Sequence, residues 1–114
     1  MGLVFFRTAA LDSIVAFYTE VVGARVWHEQ PDCTILEHEA GGHVVGFCAS
    51  DDGRAETCGT LTFVHDDRAG VDAAYERLAD RADGQPRYDE RYDIYQFFAE
   101  DPEGRTVEVQ TFEH

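Results

Sequence analysis

Lysine is missing from this chain altogether, and its nine basic residues, all arginine, face 23 acidic ones for a net charge of −14 in 114 residues. A surface of that sign repels phosphate backbones, which excludes nucleic-acid binding as the main activity. Long apolar runs are missing too. No stretch approaches the roughly 18 residues that a membrane helix requires, and the opening MGLVFFRTAA has no basic n-region, so a soluble, cytoplasmic protein is expected. Cysteine is scarce. Cys33, Cys48 and Cys58 are spaced unlike a CxxC pair or a zinc pattern, and three buried, reduced thiols are expected. The missing lysines and the excess of carboxylates also point to a salt-adapted, halophilic protein, the alternative being an ordinary acidic protein from a GC-rich genome that writes Arg for Lys. Like charges destabilise a compact state unless screened, and the Debye length shrinks to about 3 Å in 1 M salt.

What the chain does have is core material. Hydrophobic residues make up 44% and aromatics 12% of it, so the charge belongs on a surface and not to disorder. The length suits one domain burying about two thirds of the surface its unfolded form exposes. Leu3 to Thr8 reads as a strand, and Leu11, Ile14, Val15, Tyr18, Val21 and Val22 follow at helical spacing until Gly23. Strands are predicted at Ala24 to Glu29, Cys33 to Glu39 and His43 to Ala49, with turns at Gln30-Pro31-Asp32 and Ala40-Gly41-Gly42.

The opening then repeats. Thr60 to Val64 is a strand, Asp66 or Asp67 caps a helix, and Val71, Ala74, Tyr75 and Leu78 form its apolar face before Gly84. A shift of 57 places carries Phe6 to Phe63, Tyr18 to Tyr75 and Val21 to Leu78, an internal duplication with module one at 1–50 and module two at 57–114. Pro86 to Arg91 is irregular. Asp93 to Glu100 and Arg105 to Phe112 form a hairpin about Asp101-Pro102-Glu103-Gly104. The fold class is α+β, with two βαβββ modules making a cupped mixed sheet and helices on its convex side.

Strand parity assigns the faces. Val4 and Phe6, like Leu61 and Phe63, are expected beneath the helices, with Val107 and Val109 also inward. Leu3, Phe5, Arg7, Thr60, Thr62, Val64, Glu108 and Gln110 then share a mixed face. Exposed aromatics Phe5 and Phe112 on that face favour a cleft for a small molecule over bare solvent. Tyr95 and Phe97 join the lining if the last hairpin closes on four residues. Glu108 has two readings: an ion pair with Arg7, or a catalytic carboxylate whose pKa is raised in a partly desolvated cleft.

Two stretches carry a family resemblance. LDSIVAFYTEVVG at Leu11 to Gly23 and FFAEDPEGRTVEV at Phe97 to Val109, in this order and at this distance, resemble the vicinal oxygen chelate superfamily. That family includes glyoxalases, ring-cleaving dioxygenases and the bleomycin and fosfomycin resistance proteins. The resemblance implies the paired-module fold and a homodimer. In metal-dependent members it also implies a divalent ion held by His, Glu or Gln of each module's first strand and carboxylates of the last strands. Here only Glu108 matches, because the first-strand positions are Leu3 and Thr60 and Val45 to Cys48 offers no carboxylate. The five histidines show no HxH or HxxxH pair, although His38 and His43 flank one turn and leave a site of their own geometrically open.

The expectation is therefore a protein that binds a small organic molecule in a cupped sheet with no catalytic metal and no other cofactor. Phe5, Arg7, Thr60, Thr62, Tyr95, Phe97 and Gln110 are its candidate ligand contacts and Glu108 its candidate catalytic group. The acidic surface favours a cationic ligand at the cleft mouth. The alternative is a metal-dependent lyase, isomerase or dioxygenase with substituted ligands.

Overall fold

The computed structural model describes residues 2–38 and 42–114. Glu39 and most of the predicted turn Ala40-Gly41-Gly42 lie outside that range. Module one runs β1 (Val4–Thr8), α1 (Leu11–Ala16) continued as a π-helical stretch (Phe17–Val22), β2 (Ala24–Gln30), β3 (Cys33–His38) and β4 (His43–Ala49). Module two runs β5 (Thr60–Val64), α2 (Arg68–Leu78) with a 3-10 turn (Ala79–Arg81), β6 (Arg87–Asp89), β7 (Ile94–Glu100) and β8 (Thr106–Phe112). Each module builds a four-stranded sheet, ordered β1-β4-β3-β2 and β5-β8-β7-β6. The first and last strands of each module pair in parallel, and the other pairs are antiparallel. The sheets are mixed, cupped and open, with a helix against the convex face of each.

The helices form where the apolar spacing places them, with one departure. From Phe17 the first helix widens. The Thr19 hydroxyl donates to the Val15 carbonyl at 2.8 Å, occupying an acceptor of the ordinary ladder, and the Gly23 N–H reaches the carbonyl of Tyr18, five residues back. The wider turn lets two consecutive aromatics, Phe17 and Tyr18, enter the core together, edge to face at 5.0 Å. Gly23 ends the helix in the left-handed conformation, φ +96°. In α2 the cap is Asp67, whose Oδ1 accepts from the Gly70 N–H at 2.9 Å.

One core runs through both modules. Ile14, Tyr18, Leu36 and Phe47 are continuous with Phe63, Val71, Leu78, Val107 and Val109. The stretch Pro86 to Arg91, irregular in the sequence, contains the short strand β6 paired to β7. Two parity expectations need correction. Val4 is 57% exposed, because it opens β1 beyond the reach of the helix. Tyr95 and Phe97 lie on the helix side of β7 and not in the cup. Phe97 stands opposite Val109 and packs edge-on to Tyr75 of α2 at 5.4 Å, and the Tyr95 hydroxyl donates to Asp72 at 2.7 Å. The residues of β7 that do share the face of Glu108 and Gln110 are Phe98 and Gln96, their direct partners.

Candidate ligand site on the concave faces

On the first sheet, parallel pairing sets Phe5 beside Gly46 and Arg7 beside Cys48. These side chains face away from the helix and, with Gln30, Cys33 and Glu56, enclose a hollow of about 240 Å³. Phe5 is 46% exposed, and its ring lies so closely on Gly46 that a Cβ at position 46 would run into it. Glycine is what lets the ring lie flat on the sheet. Arg7 uses only its backbone locally: its N–H donates to Glu56 Oε1 at 2.7 Å, and among the described residues its guanidinium has neither hydrogen bond nor ion pair. Cys33 and Cys48, direct partners across β3 and β4, form a disulfide. This corrects the expectation of three reduced, buried thiols: side chains opposite each other on neighbouring strands are in bonding range whatever their sequence spacing. Cys58 is free and exposed.

On the second sheet Thr62 pairs with Glu108, and its hydroxyl donates to Glu108 Oε1 at 2.9 Å. The expected Arg7–Glu108 ion pair does not form. The two residues belong to different sheets, and a shared parity does not bring such strands within reach of each other. Gln110 is buried opposite Gln96, whose amide donates to Asp89 at 3.3 Å, and Thr60 is exposed at the start of β5 opposite Thr106. Phe112 is exposed on the same face, so both concave surfaces carry bare aromatic area.

A buried charge network that sequence reasoning did not single out fixes the floor of the first hollow. Arg105, 1% exposed, donates to Asp101 Oδ2 at 3.1 Å and Glu103 Oε1 at 2.8 Å. Its other nitrogens donate to the carbonyls of Glu56 and Arg7, each at 2.7 Å. Tyr18 donates to Asp101 at 2.8 Å, and Glu103 also accepts from the Thr8 hydroxyl at 2.5 Å and the Ala9 N–H at 2.8 Å. Burial alone pushes the Glu103 carboxyl up, but the bonds from Thr8, Arg105 and Ala9 more than offset it and hold the group below the ordinary carboxylate value. Burial, with the Asp101 carboxylate adding to it, drives the Tyr18 phenol far up, so it stays a donor. The DPEGR turn is therefore a clasp that ties module two to β1 and to Glu56, and so sets the backbone under Arg7.

A model of the Glyoxalase/Bleomycin resistance protein/Dioxygenase superfamily matches residues 1–109. The chain belongs to this superfamily. Among solved structures it resembles an integron cassette protein from the Halifax Harbour sewage outfall metagenome, with TM-score 0.80, 15% identity, and coverage of 98% of this chain and 97% of that one. A family enzyme from Burkholderia phytofirmans PsJN gives TM-score 0.78 at 20% identity, covering 96% and 95%. A lactoylglutathione lyase from Agrobacterium tumefaciens gives 0.73 at 20%, covering 97% and 92%. At these identities the likeness is one of fold. A comparison with curated protein sequences gave no match.

Metal chemistry in this superfamily needs several donors on the concave faces, and the residues present do not fit it. Phe5 and Thr62 are 57 places apart, the offset of the duplication, and they pair with Gly46 and Glu108 respectively. Gly46 is therefore the counterpart of Glu108 in module one, and the space of a ligating side chain there is filled by the Phe5 ring. The histidines offer no substitute. His38 and His43 are direct partners and both pack on Phe63 on the helix side, with His65 close to His38 at 5.4 Å between ring centres and against Gly70 of α2. His38 Nε2 bonds to the Val22 carbonyl at 3.3 Å, and His43 Nε2 accepts from the Val64 N–H at 3.0 Å. Among the described residues no three His, Cys, Asp or Glu side chains gather as a metal would require.

Proposed function

We propose that this superfamily member binds a small, flat organic molecule on its concave surface without a catalytic metal. The observation that supports the reading is the pairing, in one hollow, of a half-exposed aromatic face, Phe5, with the uncommitted guanidinium of Arg7. An aromatic face supplies stacking area, and a guanidinium next to it takes a carboxylate, sulfonate or phosphonate in bidentate fashion. The hollow therefore favours an aromatic anion, in place of the cation that net charge alone led us to expect. Thr62, Glu108 and Gln110 line the facing surface of the second module as polar contacts, and Glu108, committed to Thr62, acts as an acceptor. A second copy of the chain closing over the open sheets makes a homodimer the natural assembly.

A thermal-shift screen of small organic acids and bases against protein kept in EDTA tests this reading. Stabilisation by aromatic acids, rising with the logarithm of their concentration, is the expected outcome. Hits that appear only after a divalent metal is restored would reverse it in favour of a metal-dependent enzyme.

A further inference from the structure

The Cys33–Cys48 bridge does not look like a staple. A staple stabilises by closing a loop that would otherwise wander, but these two residues are the end pair of a continuous β3–β4 ladder that runs on to His38↔His43, and just beyond them the Ala49 N–H still donates to the Asp32 carbonyl at 2.8 Å. The backbone keeps the two sulfurs neighbours whether or not they are bonded. Both cysteines are only half-buried and line the open hollow, within reach of a small solute. Beside Cys48 on the same face stands Arg7, whose backbone N–H holds the Glu56 carboxylate but whose guanidinium has no ion pair among the described residues.

We propose that Cys33–Cys48 is a reversible redox site, opened and closed by small-molecule thiols entering the hollow. In the opening step a thiolate attacks Cys33 Sγ. A new S–S bond forms between the incoming sulfur and Cys33, the Cys33–Cys48 bond breaks, and its electron pair stays on Cys48, where Arg7 stabilises the thiolate. A second thiolate then attacks the incoming sulfur of this mixed disulfide, releasing the small disulfide and leaving Cys33 as a thiolate. In sum the bridge takes up two electrons and two protons, and two small thiols become one disulfide. The reverse sequence closes the site. The chemistry stands on the cysteine pair and Arg7 alone, and it operates whether or not the hollow also binds an organic ligand.

The test uses the full chain carrying Cys58→Ser, so that only the pair can react. Samples equilibrated in mixtures of reduced and oxidised glutathione are alkylated and weighed intact. The expected result is one two-electron transition between zero and two labels within the range of the mixtures, with unchanged circular dichroism. A bridge that opens only when the protein unfolds, or a pair that remains a dithiol in oxidised glutathione, overturns the proposal. In the same background Arg7→Gln is expected to slow reduction at pH 7 by about three- to tenfold and to move the pH profile of the reverse, bridge-closing attack by the Cys48 thiolate to higher pH. Peptide mapping of the trapped intermediate is expected to find glutathione on Cys33. Glutathione on Cys48, or a rate indifferent to Arg7, contradicts the assigned direction of attack.

Discussion

A single residue, Arg105, holds more of the site in place than any side chain that lines it. Its guanidinium is shared among two carboxylates and two carbonyls and lies 5.3 Å from the Phe47 ring centre, so its removal strands the buried Asp101 carboxylate and takes the cation from the partly buried Glu103. Breaking a buried pair in this way costs about 3 to 5 kcal/mol. Arg105→Ala is expected to lose that much in a urea titration, and a loss below about 1 kcal/mol would contradict the clasp. In the sequence this residue was one of nine arginines inside a family signature. The turn itself was legible from Pro102 and Gly104, whereas the partners of Arg105 were not, because Arg7 lies 98 positions away and contributes a carbonyl that no sequence pattern marks. Glu108 shows the opposite limit. Its face was read correctly from alternation, but its partner was not, since alternation gives direction and says nothing of distance.

At the scale of elements, the ends of β3, β4, β5 and the first helix meet at three imidazoles. His38 and His65 are held below the ordinary histidine value of 6.5, first by burial, with Arg77 of α2 and the neighbouring histidines adding to it. The folded chain therefore stays neutral there when the unfolded chain has already taken up protons. Since the unfolded state binds more protons, stability falls as pH drops below about 6.5 and goes on falling until the folded groups titrate. Glu103 adds loss in the same direction at lower pH, its folded value lying below the unfolded 4.5. His38→Gln keeps a donor for the Val22 carbonyl and is expected to flatten the fall in melting temperature between pH 7 and 5 by at most one proton's worth. A profile as steep as that of the unmodified chain would show that the cluster does not carry the acid sensitivity. Sequence spacing located His38 and His43 across one hairpin. The arrival of His65 depended on the packing of the two modules, which lies beyond any local pattern.

For the whole molecule, the duplication made most of the architecture readable in advance: the 57-residue offset predicted matching strands at Phe6 and Phe63 and matching helices at Tyr18 and Tyr75. It says less where the copies diverge, at the shortened β6, while Tyr95 and Phe97 depended on the last hairpin closing on four residues; it closes on five, with Glu100 opposite Thr106, and both side chains serve the core. The net charge of −14 is a property of the molecule and not of a site. If it reflects salt adaptation, the melting temperature should rise by several degrees from dilute buffer to molar KCl, and a midpoint that does not move would count against it. The central claim, a metal-free organic-binding surface, is met most directly by a fluorescence titration of EDTA-treated protein with 1-anilinonaphthalene-8-sulfonate, an aromatic anion suited to Phe5 and Arg7. The account predicts saturable binding by the folded chain, weakened about tenfold or more in both Phe5→Ala and Arg7→Ala. Equal affinity in all three proteins, or binding that appears only with added divalent metal, would contradict it.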